Sequence, residues 1–349
     1  MKASMNNIPP LESPGSPPLL TIVVPVYNEE AVLGEFYDRL SKVLDQLALR
    51  REIIFVNDGS DDVTPVLIRE WKRNDPSIAL IDLSRNFGKE IAMTAGLDHA
   101  HGDAVIVIDA DLQDPPELIP QLLEHWRAGY DVVYAVRNSR KGESWLKKLT
   151  AYGFYRIMGR VAPVPPDTGD YRLLSRRAVQ ALNQLRERHR FMKGLFTWIG
   201  YRQIGVSYER DPRHAGVSKW NYWKLWNFAL EGISSFTTLP LRAATYIGLL
   251  TACGAFLYGL EIIWDTLRHG NPVPGYPSLL VVILFLGGIQ LMSLGVIGEY
   301  LGRMFDETKQ RPLYLVSAYE PARTLAGNLT DEAESLYSTP IPSIHRTQS

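Results

Sequence analysis

The chain has a single cysteine, Cys253. That excludes a disulfide framework and a cysteine-rich zinc site, and the apolar neighbours of Cys253 mark it as a packing residue. No sign of charge dominates either. The 37 lysines and arginines meet 38 aspartates and glutamates for a net charge of -1, so the chain has no basic footprint for a nucleic-acid backbone. Neither a G-x-x-x-x-G-K-[ST] nor a G-x-G-x-x-G motif occurs, which argues against a P-loop ATPase and a dinucleotide enzyme. His189, His214 and His269 lack zinc-ligand spacing. Residues 1–19 are proline-rich without an apolar h-region, and are expected to be a disordered leader, not a signal peptide. No internal repeat is found.

What the sequence does have is two long stretches without charge. No residue is charged from Ala243 to Leu260, nor from Asn271 to Gly298. A bilayer core takes about 20 residues of helix, and soluble helices rarely lose their polar face over such lengths. Transmembrane helices are therefore expected over 239–264 and 276–300. Lys224 and Arg242 precede the first, and Arg303, Lys309 and Arg311 follow the second, with Arg268 between them. This asymmetry places both termini in the cytoplasm and Asp265 to Pro277 outside an inner membrane. Before the first span, residues 219–238 carry Trp220, Trp223 and Trp226 beside Lys219 and Lys224. That pattern suits an amphipathic helix lying in the headgroup layer. Residues 301–318 are expected to be a juxtamembrane segment with a strand at Leu313 to Val316, and 319–349 a disordered tail.

At about 150 residues per domain, 349 residues leave room for a full soluble domain before the spans. Leu20 to Val26, Glu52 to Asn57, Ile78 to Leu83, Ala104 to Asp109 and Asp131 to Val136 read as strands, with amphipathic stretches such as Glu30 to Leu47 between them. This βαβ series predicts an α/β fold with a mostly parallel sheet over 20–218. Ligands of such open sheets bind outside the carboxyl ends of the strands. Those ends carry Tyr27-Asn28-Glu29, Asn57-Asp58-Gly59-Ser60, Ser84-Arg85-Asn86 and Asp109-Ala110-Asp111. Asp109 and Asp111 suit a hard cation, Mg²⁺ or Mn²⁺, which takes oxygen ligands and leaves positions for substrate phosphates. Arg85 and Lys89 are cations near the same crevice, with the two readings of a phosphate contact and a solvated face, while Asn28 has the alternative of capping the next helix and Asp58-Gly59-Ser60 of being a turn.

Four ordered segments carry a family resemblance. Thr21 to Glu29, Asn57 to Asp61, Leu83 to Lys89 and Asp109 to Glu117 (Asp-Ala-Asp-Leu-Gln-Asp-Pro-Pro-Glu) resemble the successive signatures of family-two glycosyltransferases with the GT-A fold. Within them the chain is similar, from about Leu20 to Val316, to the polyprenyl-phosphate glycosyltransferases, the branch of the bactoprenol glucosyltransferases and dolichol-phosphate mannose synthase. The resemblance implies a nucleotide-sugar donor, a polyprenyl phosphate acceptor in the membrane, and a homotetramer. It implies that Pro25, Tyr27, Asn28, Glu29 and Asp58 hold the nucleoside, and that Asp109, Asp111 and Gln113 hold the metal and diphosphate. Asp167 and Asp170 fall where the family places an acidic residue by the reaction centre, as orienting groups first and bases second. Arg213, Ser218 and Lys219 match its basic acceptor loop, where arginine and lysine can bind a lipid phosphate.

The expected reaction is inverting transfer of one sugar from a UDP-sugar to undecaprenyl phosphate at the cytoplasmic face. Glucose leads among the sugars, ahead of N-acetylhexosamine, an aminoarabinose derivative and mannose. A processive polysaccharide synthase would carry a Gln-X-X-Arg-Trp motif and more spans, and neither is found. A non-catalytic nucleotide-sugar sensor or scaffold is opposed by the presence of both Asp109 and Asp111.

Overall fold

The computed structural model describes residues 17–137, 168–208, 239–269 and 275–325. Five strands lie close to their expected positions: β1 (Leu19–Val26), β2 (Arg50–Asn57), β3 (Ile78–Leu83), β4 (Ala104–Val107) and β5 (Val132–Arg137). Three more complete one sheet: β6 (Thr168–Ser175), β7 (Gln203–Tyr208) and β8 (Val316–Glu320). The spatial order is β7-β5-β6-β4-β1-β2-β3-β8. The central run β4-β1-β2-β3 is parallel, as the βαβ reading requires. β6 is inserted antiparallel between β4 and β5, and β8 caps the far edge antiparallel to β3.

Both faces of this sheet are covered, which is why its strands are continuously apolar. Successive residues of β1 and β2 alternate between two cores. Ile22, Val24, Ile53 and Phe55 pack with α1 (Leu33–Asp45), α2 (Thr64–Asn74) and α4 (Ile119–Arg127). Val23, Ile54 and Val56 pack with α3 (Lys89–Asp98), α5 (Arg176–Gln184) and α6 (Met192–Trp198). The closest approach is at Gly96 of α3, where a Cβ would stand 2.2 Å from Val23 Cγ1. α3 seats directly on β1 only because that side chain is absent.

Two long helices follow, α7 (Leu239–His269) and α8 (Tyr276–Thr308). The 31 residues of α7 span about 46 Å, more than a bilayer core of about 30 Å. Leu250 and Leu291 are 76% and 72% exposed, so the apolar side chains face outward and not into a protein core. Ala243–Asp265 and Phe285–Thr308 are each long and apolar enough to cross a membrane. Cys253 is exposed on α7, a correction to its expected packing role: the apolar neighbours in sequence are themselves on an outward face.

The expected strand at Leu313 to Val316 also moves. Pairing begins at Val316 and runs to Glu320, because register is dictated by the open edge of β3 and not by the local apolar run. Ser84 N donates to Leu315 O at 2.9 Å, Lys72 Nζ to Pro321 O at 2.6 Å, and Arg69 bridges Asp82 and Glu320. The other end of the return is fixed where Arg188 N donates to Glu307 Oε1 at 2.7 Å and His189 meets Asp306. Residues 1–16, the stretch 219–238 and the tail from 326 lie outside the described residues.

Gly96→Ala is expected to destabilise the domain by about 1 to 3 kcal/mol through overpacking. A thermal melt of the detergent-solubilised chain checks this, and an unchanged midpoint would show that α3 can retreat from Val23 freely.

Candidate active site

The carboxyl ends of β1, β2, β3 and β4 open on one side, and the loops there are tied to each other by side chains. Asn28 adopts φ 55 and does not cap α1, whose N-cap is Val32 with no side-chain bond. Instead its Oδ1 accepts from Asp61 N at 2.9 Å, and its own N–H donates to Ser60 Oγ at 3.0 Å. Glu29 N donates to Thr64 Oγ1 at 3.0 Å. Tyr27 is exposed beside them and Pro25 half-buried at the end of β1. The sequence offered Asn28 as a cap or a ligand, and it is first of all the link between the first two loops.

Asp58 is buried, and its two oxygens accept from Phe87 N at 2.7 Å and Gly88 N at 2.9 Å. Burial raises its pKa, with those backbone bonds opposing. Gly59 (φ 73) packs so closely on the third loop that a Cβ would lie 2.7 Å from Arg85 C and Asn86 N. The turn reading of Asp58-Gly59-Ser60 is thus part of its role: it holds the 85–88 loop. On that loop the Arg85 guanidinium lies 4.2 Å over the Phe87 ring and remains exposed at the rim.

Gly88 (φ 96) turns the chain into α3, and Lys89 opens that helix. Lys89 Nζ donates to Asp109 Oδ2 at 2.6 Å and to Asp170 Oδ2 at 2.5 Å. These carboxylates are 61 residues apart in sequence, yet the antiparallel register Val107↔Arg172, continued two residues, sets 109 opposite 170. Burial pushes the Asp109 carboxyl up to about 6, with Lys89 opposing and Asp170 reinforcing. For Asp170 burial acts in the same upward direction, but Lys89 and Lys193 outweigh it and hold the group below the ordinary carboxylate range. The Lys89 ammonium is itself stabilised: its head is partly withdrawn from water between the two carboxylates, and their charge more than compensates.

Several neighbours were not singled out by the sequence. Glu90 is pushed up to about 7 by burial and by Asp170, and accepts from Met192 N at 3.2 Å. Arg172, buried over Phe196 at 3.7 Å, donates to Gly169 O at 2.7 Å and Asp170 O at 3.2 Å, fixing the backbone that carries Asp170. The loop after β4 is anchored from β6 and β7. Tyr171 OH donates to Pro115 O at 3.1 Å, and Tyr208 OH donates to buried Asp114. The adjacency of Lys89 and Glu90 at a helix start was the one local signal for this cluster; the tyrosines act through strand pairings that no local pattern marks.

Asp111 Oδ1 accepts from Gln113 N at 3.1 Å, Leu112 takes φ 61, and the Gln113 side chain is buried. The donor set of Asp109, Asp111 and Gln113 is all oxygen, on one tightly turned loop, and fits a hard divalent cation. Among the described residues no three His, Cys, Asp or Glu side chains gather on one point. A cation here would therefore complete its coordination with ligand oxygens. Asp167, Arg213, Ser218 and Lys219 lie outside the described residues.

With this geometry in hand, residues 21–182 match the profile of glycosyl transferase family 2, and residues 239–304 that of the GtrB C-terminal hairpin. An uncharacterized glycosyltransferase of Synechocystis sp. is 56% identical over 85% of this chain and 94% of its own length. The bactoprenol glucosyl transferase of Shigella phage SfV is 50% identical over 85% of this chain and 97% of its own. A prophage bactoprenol glucosyl transferase homolog of Escherichia coli is 49% identical over 85% and 98%.

Tyr208→Phe removes one donor from a buried carboxylate and is expected to cost about 1 to 3 kcal/mol. It should also loosen the Asp109 to Glu117 loop that carries Asp114. A thermal melt and amide exchange of that loop check both; a wild-type melt and wild-type protection would remove the hydroxyl from the anchoring role.

Proposed function

The chain belongs to glycosyl transferase family 2, and from that premise we propose that it moves a single glucose from UDP-glucose onto a polyprenyl phosphate, undecaprenyl phosphate in bacteria, with inversion. The observation that carries the reading is the combination of an oxygen-rich crevice at the strand ends with an apolar two-helix hairpin in one chain, which is 50% identical over 85% of its length to a bactoprenol glucosyl transferase.

The nucleoside is assigned to Pro25, Tyr27, Asn28, Glu29 and Asp58, the diphosphate to Arg85 and Lys89. A divalent cation, Mg²⁺ or Mn²⁺, held by Asp109, Asp111 and Gln113 would supply positive charge to the departing diphosphate. The acceptor is a phosphate monoester whose second pKa is near 6, so it is already largely dianionic at neutral pH. It needs orientation more than deprotonation. The low pKa of Asp170 suits an orienting carboxylate and makes it a poor base. Asp167 is the second candidate for that place. Arg213, Ser218 and Lys219 would hold the lipid phosphate, with 219–238 as the helix that meets the headgroups.

Two experiments test this reading. Purified protein is incubated with undecaprenyl phosphate and a panel of nucleotide sugars, and the lipid product is weighed. A gain of one hexose from UDP-glucose is expected, and absence of any glycosylated lipid overturns the reaction. In the same assay Arg213→Ala or Lys219→Ala should lower lipid utilisation by about ten- to hundredfold, from about 1.5 to 3 kcal/mol per charge-assisted contact, with UDP affinity intact. The second experiment addresses orientation. The catalytic domain and both termini are placed in the cytoplasm, so a cysteine introduced at Ser338 in a Cys253→Ser background should resist an impermeant thiol reagent in intact cells. Labelling there would reject the topology.

A further inference from the structure

Lys89 occupies the position where charge is most needed. Its ammonium touches one oxygen of Asp109 and one of Asp170, while Asp170 Oδ1 is buried with no hydrogen-bond partner in the structure. The Lys89 side chain is 42% exposed, so it reaches into this pair from the solvent rim. Lysine carries a point charge on a flexible stem with three donors, and it can leave one partner for another without moving the backbone.

A divalent cation arriving at Asp109 meets this ammonium on the same carboxylate. Like charges so close repel, and Asp109 Oδ2 cannot serve both fully. A nucleoside diphosphate changes the balance, since it brings oxygens for the cation and a new anionic partner for the ammonium. We propose that Lys89 is a resident counter-ion of the carboxylate pair, one that holds Asp109 until a diphosphate draws it away and so makes cation and nucleotide binding mutually dependent. The inference rests on the assignment of Asp109 as a cation ligand made above. It adds that the cation enters poorly alone, and that the lysine is the cause. Linkage requires the dependence to be reciprocal: UDP favours the cation by the same factor as the cation favours UDP.

The test is Mn²⁺ binding by the full-length protein in detergent, followed by electron paramagnetic resonance with and without saturating UDP. In the wild type, UDP should tighten Mn²⁺ by about tenfold or more, within the usual span of coupling between sites. Lys89→Met should bind Mn²⁺ alone about tenfold more tightly than the wild type, and its gain from UDP should shrink. Lys89→Gln retains a hydrogen-bond donor but no charge, and should behave as Lys89→Met does. If the neutral variants bind Mn²⁺ alone no better than the wild type, or keep the full UDP gain, the counter-ion role is overturned while the cation site stands. If the wild type binds no Mn²⁺ in either condition, the cation assignment falls and takes this inference with it. The wild-type coupling is independent of any variant's folding, and its absence alone is sufficient to reject the proposal.

Discussion

Two carboxylates at the ends of adjacent strands are tolerable only with a cation between them, because each is partly withdrawn from water and lies beside the other. In this protein that cation is Lys89. Its position is the last step of a chain of contacts. Asp58 at the end of β2 binds the N–H groups of Phe87 and Gly88, Gly59 lets the third loop approach, and Gly88 turns that loop into the helix that Lys89 begins. The second loop is in turn tied to the first through Asn28, Ser60 and Asp61. Four strand ends thus act as one assembly, with the carboxylate pair at its far end.

The parts of this assembly legible in the sequence were those encoded locally. β1 to β5 are near-continuous apolar runs bounded by turn residues, as the strands of a doubly covered sheet should be, and the polar clusters at their ends fall where the topology opens. β6 was missed because Thr-Gly-Asp-Tyr-Arg carries charge and an aromatic in place of an apolar run; its neighbours β4 and β5 bury it whatever its composition. That omission hid the pairing of Asp109 with Asp170, which is a consequence of register and cannot be read from residue types. Asp58 shows the converse. Its residue type was informative, but both its oxygens are engaged by backbone N–H groups, so it supports the site at least as much as it lines it.

The C-terminal return solves a second problem. A parallel sheet ending at β3 would leave an open edge, a template for unwanted pairing. The chain closes this edge with a strand taken from beyond α8, and secures it with Arg69 between Asp82 and Glu320 and with Lys72 on two carbonyls. The apolar hairpin is therefore not a tail on a tether. It is clasped on its return by the sheet, and the end of α8 is tied to the domain carrying the crevice.

That clasp ends close to the chemistry. Asp306 and Glu307, at the end of α8, hold His189 and Arg188, and three residues later Met192 N donates to Glu90 Oε2. Glu90 is the neighbour of Lys89 and feels both Asp170 and Lys193. Only a few packed residues separate the end of the second apolar helix from the carboxylate pair. These contacts tie the end of α8 to the crevice through side chains of α8 itself, so the apolar helix and the carboxylate pair are joined by packed residues and not only by the connecting chain.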